Sequence, residues 1–286
     1  TDISTPNLDK LAANGIRFTH AHSAAATCTP SRYALMTGKY PWKKSSINVL
    51  AGDATLIIPK DLLTLPKVFK MAGYTTAIIG KWHLGLGQEV KKDWNKKIEG
   101  GPNDVGFDYS FIFPATADRV PTVFLENQEV LGADPNDPIA VSYTEAIGNE
   151  PTGKDNPELL KMQASPKHGH NNTIINGIGR IGFMKGGHRA RWVDEEVPLT
   201  FMSKSLDFIR TQEKPFFLYY SLTEPHVPRM PSTFFKGKSK LGYRGDVILQ
   251  LDWTVGEIMK TLALTGKDKN TLIIFSSDNG PVLDDG

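Results

Sequence analysis

The chain has 286 residues, enough for one large α/β domain or two small ones, and its 40% hydrophobic and 22% charged residues are those of an ordinary globular protein. A net charge of +2 with no basic run excludes a nucleic-acid footprint, and apolar runs such as TTAIIG and FFLYYSL are far too short to span a bilayer. A single cysteine excludes an internal disulfide, so thiol arithmetic does not decide the redox compartment.

The first segment, STPNLDKLAANG, reads as a helix capped at Thr5, with Pro6 at its first position, Gly15 just past its end and Leu8, Leu11 and Ala12 as its apolar stripe. There is no visible signal peptide, and a helix start in the first residues leads us to expect a chain that begins inside a domain. GIRFTHA then reads as a short strand. TLPKVFKMAG reads as a helix from Thr64 to Gly73, and YTTAIIG after it as a buried strand, nearly every position apolar or β-branched. Between Leu84 and Glu196 the periodicity dissolves into a stretch rich in Gly, Asn, Pro and His. That length predicts a structured insertion forming a binding surface. PLTFMSKSLDFIRTQ reads as an amphipathic helix and PFFLYYSL as a second buried strand. Val247, Ile248, Leu251, Val255, Ile258, Met259 and Leu262 recur at helical spacing, and NTLIIFSSDNG supplies a last strand. Helix followed by apolar strand, three times over, predicts an α/β fold: a large, mostly parallel sheet with helices on both faces.

The three strands run into Lys81-Trp82-His83, Thr223-Glu224-Pro225-His226 and Asp278-Asn279-Gly280. Ligands in open α/β sheets bind beyond the carboxyl ends of the strands, so these residues are expected to converge on one crevice. Lys81 and Arg32 supply cations for an oxyanion, two histidines can move protons near neutral pH, and Asp278 with Asn279 offers hard oxygens suited to Ca²⁺ or Mg²⁺. Together they describe a site for a sulfate or phosphate ester beside a metal. Each residue also has an ordinary reading. A lone Cys is commonly a small buried hydrophobe, a Lys or His after a strand is commonly solvated, and Asp-Asn-Gly is commonly a turn.

Cys28 to Gly38, CTPSRYALMTG, resembles the Cys-x-Pro-Ser-Arg signature of the type I, formylglycine-dependent sulfatases of the alkaline-phosphatase-like superfamily. STPNLDKLAANGIRFTHAH before it, GKWHLG at 80–85, and EPH and SSDNG later in the chain fall in the order of that family. The resemblance implies that a maturation enzyme oxidises Cys28 to formylglycine, whose hydrated aldehyde attacks sulfur, forms a sulfated intermediate and then expels sulfate. It implies that Arg32 holds the formylglycine, Lys81 binds the sulfate, His83 serves as base, His226 protonates the leaving group, and Cys28, Asp278 and Asn279 bind Ca²⁺. It also implies that 1–286 is the central part of a catalytic domain, with 84–196 forming the substrate surface. A first strand with paired aspartates, a later lysine and a C-terminal subdomain would lie outside it.

The insertion holds His168, His170, Arg189, Arg191 and Trp192. His170, Arg189 and Arg191 are the expected substrate contacts, since arginines bind carboxylates and sulfates. Asp284 and Asp285 read as a loop. The segment ending in GGHRARW is similar to bacterial carbohydrate sulfatases of the N-acetylgalactosamine-6-sulfatase or arylsulfatase kind. That likeness implies a sulfated galactose-type glycan as substrate and a periplasmic or secreted enzyme. Three alternatives stay open: a phosphonate monoester hydrolase or phosphodiesterase of the same superfamily, a choline-sulfatase-like enzyme, and a non-catalytic glycan-binding relative.

Overall fold

The computed structural model describes residues 2–43, 47–162 and 169–282; His168, Asp284 and Asp285 lie outside the described residues. Its helices are α1 (Pro6–Ala13), α2 (Cys28–Thr37), α3 (Leu65–Met71), α4 (Val197–Thr211) and α5 (Gly242–Leu264). The strands in chain order are β1 (Thr75–Lys81), β2 (Tyr109–Phe113), β3 (Leu125–Glu126), β4 (Glu129–Val130), β5 (Ala140–Ser142), β6 (Ile174–Ile175), β7 (Ile178–Gly179), β8 (Phe183–Lys185) and β9 (Phe216–Ser221). One sheet has the order β4-β3-β2-β1-β9, while β5 with β8 and β6 with β7 form separate antiparallel pairs.

β1 pairs in parallel with both β2 and β9, and β3 and β4 extend the sheet antiparallel. Side chains alternate between faces along a strand. On one face Ala77, Ile79, Phe111 and Phe113 pack with Val197, Phe201 and Phe208 of α4. On the other, Ile78, Ile112, Phe217 and Tyr219 join a larger cluster with Trp82, Trp94 and Phe107. Phe69 of α3 stacks on Phe217 there, at 4.3 Å between ring centroids. Helices therefore cover both faces of a mostly parallel sheet, as the alternation of helix and strand predicts. α5 packs on α4, and α1 on α5.

Two expected strands are not paired. Residues 15–21 and 271–277 form no ladder, and Ile16, Phe18, Leu272 and Ile274 are each more than three-quarters exposed. Strand propensity describes a fit to a neighbouring strand, and no described strand flanks either segment. α1 forms where expected, but its stripe is only half-buried at Leu8 and Leu11 and exposed at Ala12. It is anchored through polar atoms instead: Asp252 of α5 accepts the backbone N–H groups of Asn7 and Leu8 and the Asn7 side chain, at 3.2, 2.8 and 2.8 Å. Within the stretch that lacks periodicity, β2 takes a place inside the sheet.

Candidate active site

The parallel register ends Lys81 opposite Phe113, and Gly80 opposite Ser221, so the carboxyl ends of β1, β2 and β9 share one edge. Gly80 has φ +111°, and a Cβ there would lie 1.9 Å from the Ser221 carbonyl oxygen; only glycine lets the backbone approach this closely before Lys81. At the same edge α2 begins at Cys28, and Arg32 follows one turn later on the same helical face. Gly38 at φ +65° ends the helix.

Arg32, buried, organises the floor of the site. Its Nε donates to Asp278 Oδ2 at 2.8 Å, and its Nη1 donates to the Lys81 carbonyl at 2.9 Å, Ser221 Oγ at 2.5 Å and Tyr219 Oη at 3.3 Å. Lys81 Nζ stands 3.8 Å from the same Asp278 oxygen. Burial alone would raise the Asp278 carboxyl, but the charges of Arg32 and Lys81 outweigh it and hold the group below the usual carboxylate range. Burial and the neighbouring Arg32 charge lower Lys81, partly offset by Cys28 and Asp278.

Cys28 is 9% exposed, with His226 and Lys81 as the neighbours that act on its thiol. Burial pushes its thiol up, yet those two neighbours bring it down to about 6. The pocket therefore favours negative charge on the atom at position 28. His226 Nδ1–H donates to the Val227 carbonyl at 2.7 Å, which leaves Nε2 for the group at 28. His83 is buried at φ +56°, with Nε2–H donating to the Leu50 carbonyl at 2.9 Å. Its Nδ1 is buried without a partner. Burial and the charges of Lys81 and Arg119 push His83 well below the ordinary imidazole value, so it is neutral at pH 7 with a free lone pair on Nδ1.

Cys28, Arg32, Lys81, His226 and Asp278 thus meet, with His83 close behind. His170 is buried and donates from Nε2 to Asp118 Oδ2 at 2.7 Å; Arg119 Nη1 donates to the same carboxylate at 3.1 and 3.3 Å. Asp118 lies within electrostatic reach of His226, and the charges of Arg119 and His170 help hold it well below the carboxylate range against its burial. Asp118 and Arg119 escaped the sequence reading. They follow the carboxyl end of β2, and recognising that strand would have found them by the rule that found Lys81. Arg191 pairs with Glu150 and donates to the Gly186 carbonyl, and Arg189 is exposed; no described contact ties either to the Cys28 cluster.

Asn279 Oδ1 is buried without a partner beside Asp278, while Asn279 Nδ2 donates to the Gly280 carbonyl at 2.8 Å. Two adjacent hard oxygens, one of them orphaned, fit part of a Ca²⁺ shell, which takes about 6–8 oxygens. Among the described residues no group of three or more His, Cys, Asp or Glu is placed to hold a metal, and no helix is long and apolar enough to cross a membrane.

The sulfatase family model matches residues 1–286. The chain is 52% identical over 287 residues to an N-acetylgalactosamine-6-O-sulfatase of Bacteroides thetaiotaomicron, covering all of this chain and 56% of that protein. It is 30% identical to the rat N-acetylgalactosamine-6-sulfatase over 290 residues, covering 98% of this chain and 46% of the other. A solved Bacteroides thetaiotaomicron structure, described for metabolism of multiple glycosaminoglycans, superposes at a TM-score of 0.97 with 52% identity, over all of this chain and 59% of that one. The Pseudoalteromonas sulfatase PsFucS1 superposes at 0.65 with 25% identity, over 98% of this chain and 50% of that one. The chain spans about half the length of the curated relatives it matches.

Proposed function

Because the chain belongs to the sulfatase family, we propose that its site hydrolyses a carbohydrate sulfate ester, with Cys28 matured to formylglycine. The observation that carries this reading is the convergence of Arg32, Lys81 and Asp278 at the start of the helix that carries Cys28, with both cations on Asp278 Oδ2, surroundings that also bring the Cys28 thiol down against its burial. A buried site built only to hold a neutral thiol would raise it instead. The hydrated formylglycine supplies an oxygen nucleophile in the place of the sulfur.

The chain's own residues then have distinct tasks. Lys81 holds the non-bridging sulfate oxygens, and Arg32 fixes Asp278 and the end of β1 around position 28. His226 Nε2–H protonates the departing alcohol oxygen as the ester S–O bond breaks. His83, neutral with a free Nδ1, accepts a proton from a hydroxyl at position 28, so that the carbonyl reforms and sulfate leaves. Asp278 and Asn279 would contribute two oxygens to a bound Ca²⁺, which would polarise the ester.

For substrate we propose a 6-sulfated galactose-type sugar, in line with the name of the bacterial relative. Exposed Arg189 is the candidate direct glycan contact, with buried His170 acting through Asp118 and Arg191 contributing only on release from Glu150. This reading goes with a periplasmic or secreted enzyme matured by a formylglycine-generating enzyme, as the family resemblance implies. The test is mass spectrometry of the Cys28 peptide together with sulfate release from N-acetylgalactosamine-6-sulfate and from an aryl phosphonate. An aldehyde-bearing peptide, sulfate release and its loss in Cys28→Ala are expected. Unmodified thiol in fully active protein, or a faster phosphonate reaction, would overturn the reading.

A further inference from the structure

The loop that carries His226 runs from Thr223 to Ser232, between β9 and α5, and both of its ends are tied to one side chain. Gln250 of α5 is fully buried. Its Oε1 accepts the Ser232 backbone N–H at 2.9 Å, and its Nε2 donates to Glu224 Oε1 at 3.1 Å. Val247 and Leu251 beside it on the helix are buried and apolar, surroundings in which a polar group persists only with partners. An amide offers one acceptor and one donor head on a planar end, which these two anchor points require. A carboxylate at 250 would face the carboxylate of Glu224, and a leucine would strand the Ser232 N–H.

Inside the loop the imidazole is gripped by its own backbone. The His226 N–H donates to the Thr223 carbonyl at 3.1 Å, and Nδ1–H donates to the Val227 carbonyl. Glu224 also accepts the Thr223 N–H at 3.2 Å and the Thr223 hydroxyl at 3.0 Å, so the anchor next to Gln250 is internally braced. Where the loop sits, the imidazole sits.

We propose that Gln250 is a positioning residue for His226: by pinning both ends of the loop at 223–232 to α5, it holds Nε2 in line with the departing alcohol oxygen. This rests on the reading of His226 as proton donor. Protonation matters most when the leaving alkoxide is poor, as from a sugar, and least when it is good, as from nitrophenol. The diagnostic quantity is therefore the ratio of kcat on N-acetylgalactosamine-6-sulfate to kcat on 4-nitrophenyl sulfate, measured on the matured protein.

In Gln250→Leu this ratio falls about tenfold or more, a fraction of the 10²–10⁴ that general acid catalysis contributes. His226→Asn lowers it further. Gln250→Glu, which keeps the Ser232 acceptor and loses the Glu224 donor, also lowers the ratio, and decides the matter should the leucine variant not fold. A ratio unchanged in the Gln250 variants but reduced in His226→Asn overturns the positioning role and leaves the proton donor standing. A ratio unchanged in His226→Asn overturns the donor role, and the Gln250 inference falls with it.

Discussion

The chain carries one cysteine, so thiolate absorbance at 240 nm, read below the pH at which the tyrosines ionise, reports the unmodified Cys28 alone. The pocket brings that thiol from 9.0 to about 6, roughly 4 kcal/mol of preferential stabilisation of the charged form. At pH 7 about 90% of it is thiolate on that figure. Lys81→Met removes one of the two partners that lower it. Should Lys81 supply half of the effect, the midpoint climbs by about 1.5 to roughly 7.5, and the thiolate at pH 7 drops to about a quarter. His226→Asn produces a rise of similar order. The sign also fixes a stability profile. The folded state holds a thiolate from about pH 6 upward while the unfolded thiol stays protonated to about 9. The unfolded chain binds more protons in that window, so this contribution to stability grows as pH rises from 6 to 9 and is lost as pH falls through 6. Cys28→Ala removes it. A midpoint above 8 in the unsubstituted chain, or one unmoved in both variants, would refute the claim that Lys81 and His226 create an anion pocket at position 28.

Further outcomes follow from the packing. Asp252→Ala removes three hydrogen bonds at the start of α1 and should cost about 2–3 kcal/mol, read as a lower urea midpoint at unchanged slope. Arg180 is fully buried and forms a two-pronged pair with Asp194, at 2.9 and 2.6 Å, beneath the segment that carries His170. Arg180→Met alone leaves the buried Asp194 carboxylate with only the Asn176 amide among the described residues and should cost about 3–5 kcal/mol, whereas the double variant Arg180→Met/Asp194→Leu should recover part of that loss in the same denaturation assay. Gly80→Ala drives a Cβ into the Ser221 carbonyl and should leave little folded protein by near-UV circular dichroism. Asn279→Ala deletes the buried, unpartnered oxygen proposed for Ca²⁺ and should weaken calorimetric Ca²⁺ binding at least several-fold; equal affinity would remove Asn279 from the ligand set.

Where local physics dictated the outcome, the sequence was legible. β1 and β9 are continuous apolar strands because both of their faces are covered, and such runs stand out without a fold in hand. The helix over 65–71 carries its own start and stop signals, and the one over 197–211 its amphipathic pattern. β2 was hidden because Tyr109–Phe113 is flanked by loops rather than by helices at regular spacing, so its partner and not its pattern makes it a strand. The failed strand at 271–277 is the same lesson reversed: a strong apolar run delivers Asp278 to Arg32 without any ladder of its own.

The sequence by itself determined the α/β layering and which residue types stand at the strand ends, since these depend on periodicity and short-range order along the chain, and its motifs at 28–38 and 80–85 carried the family resemblance. Tertiary structure alone decided that Asp118 and Arg119 back the two histidines, that Arg191 is spent on Glu150, and that Gln250 grips both ends of the His226 loop. Each of those is a contact between residues far apart in sequence, and its energy comes from burial and directional hydrogen bonding that no single segment encodes.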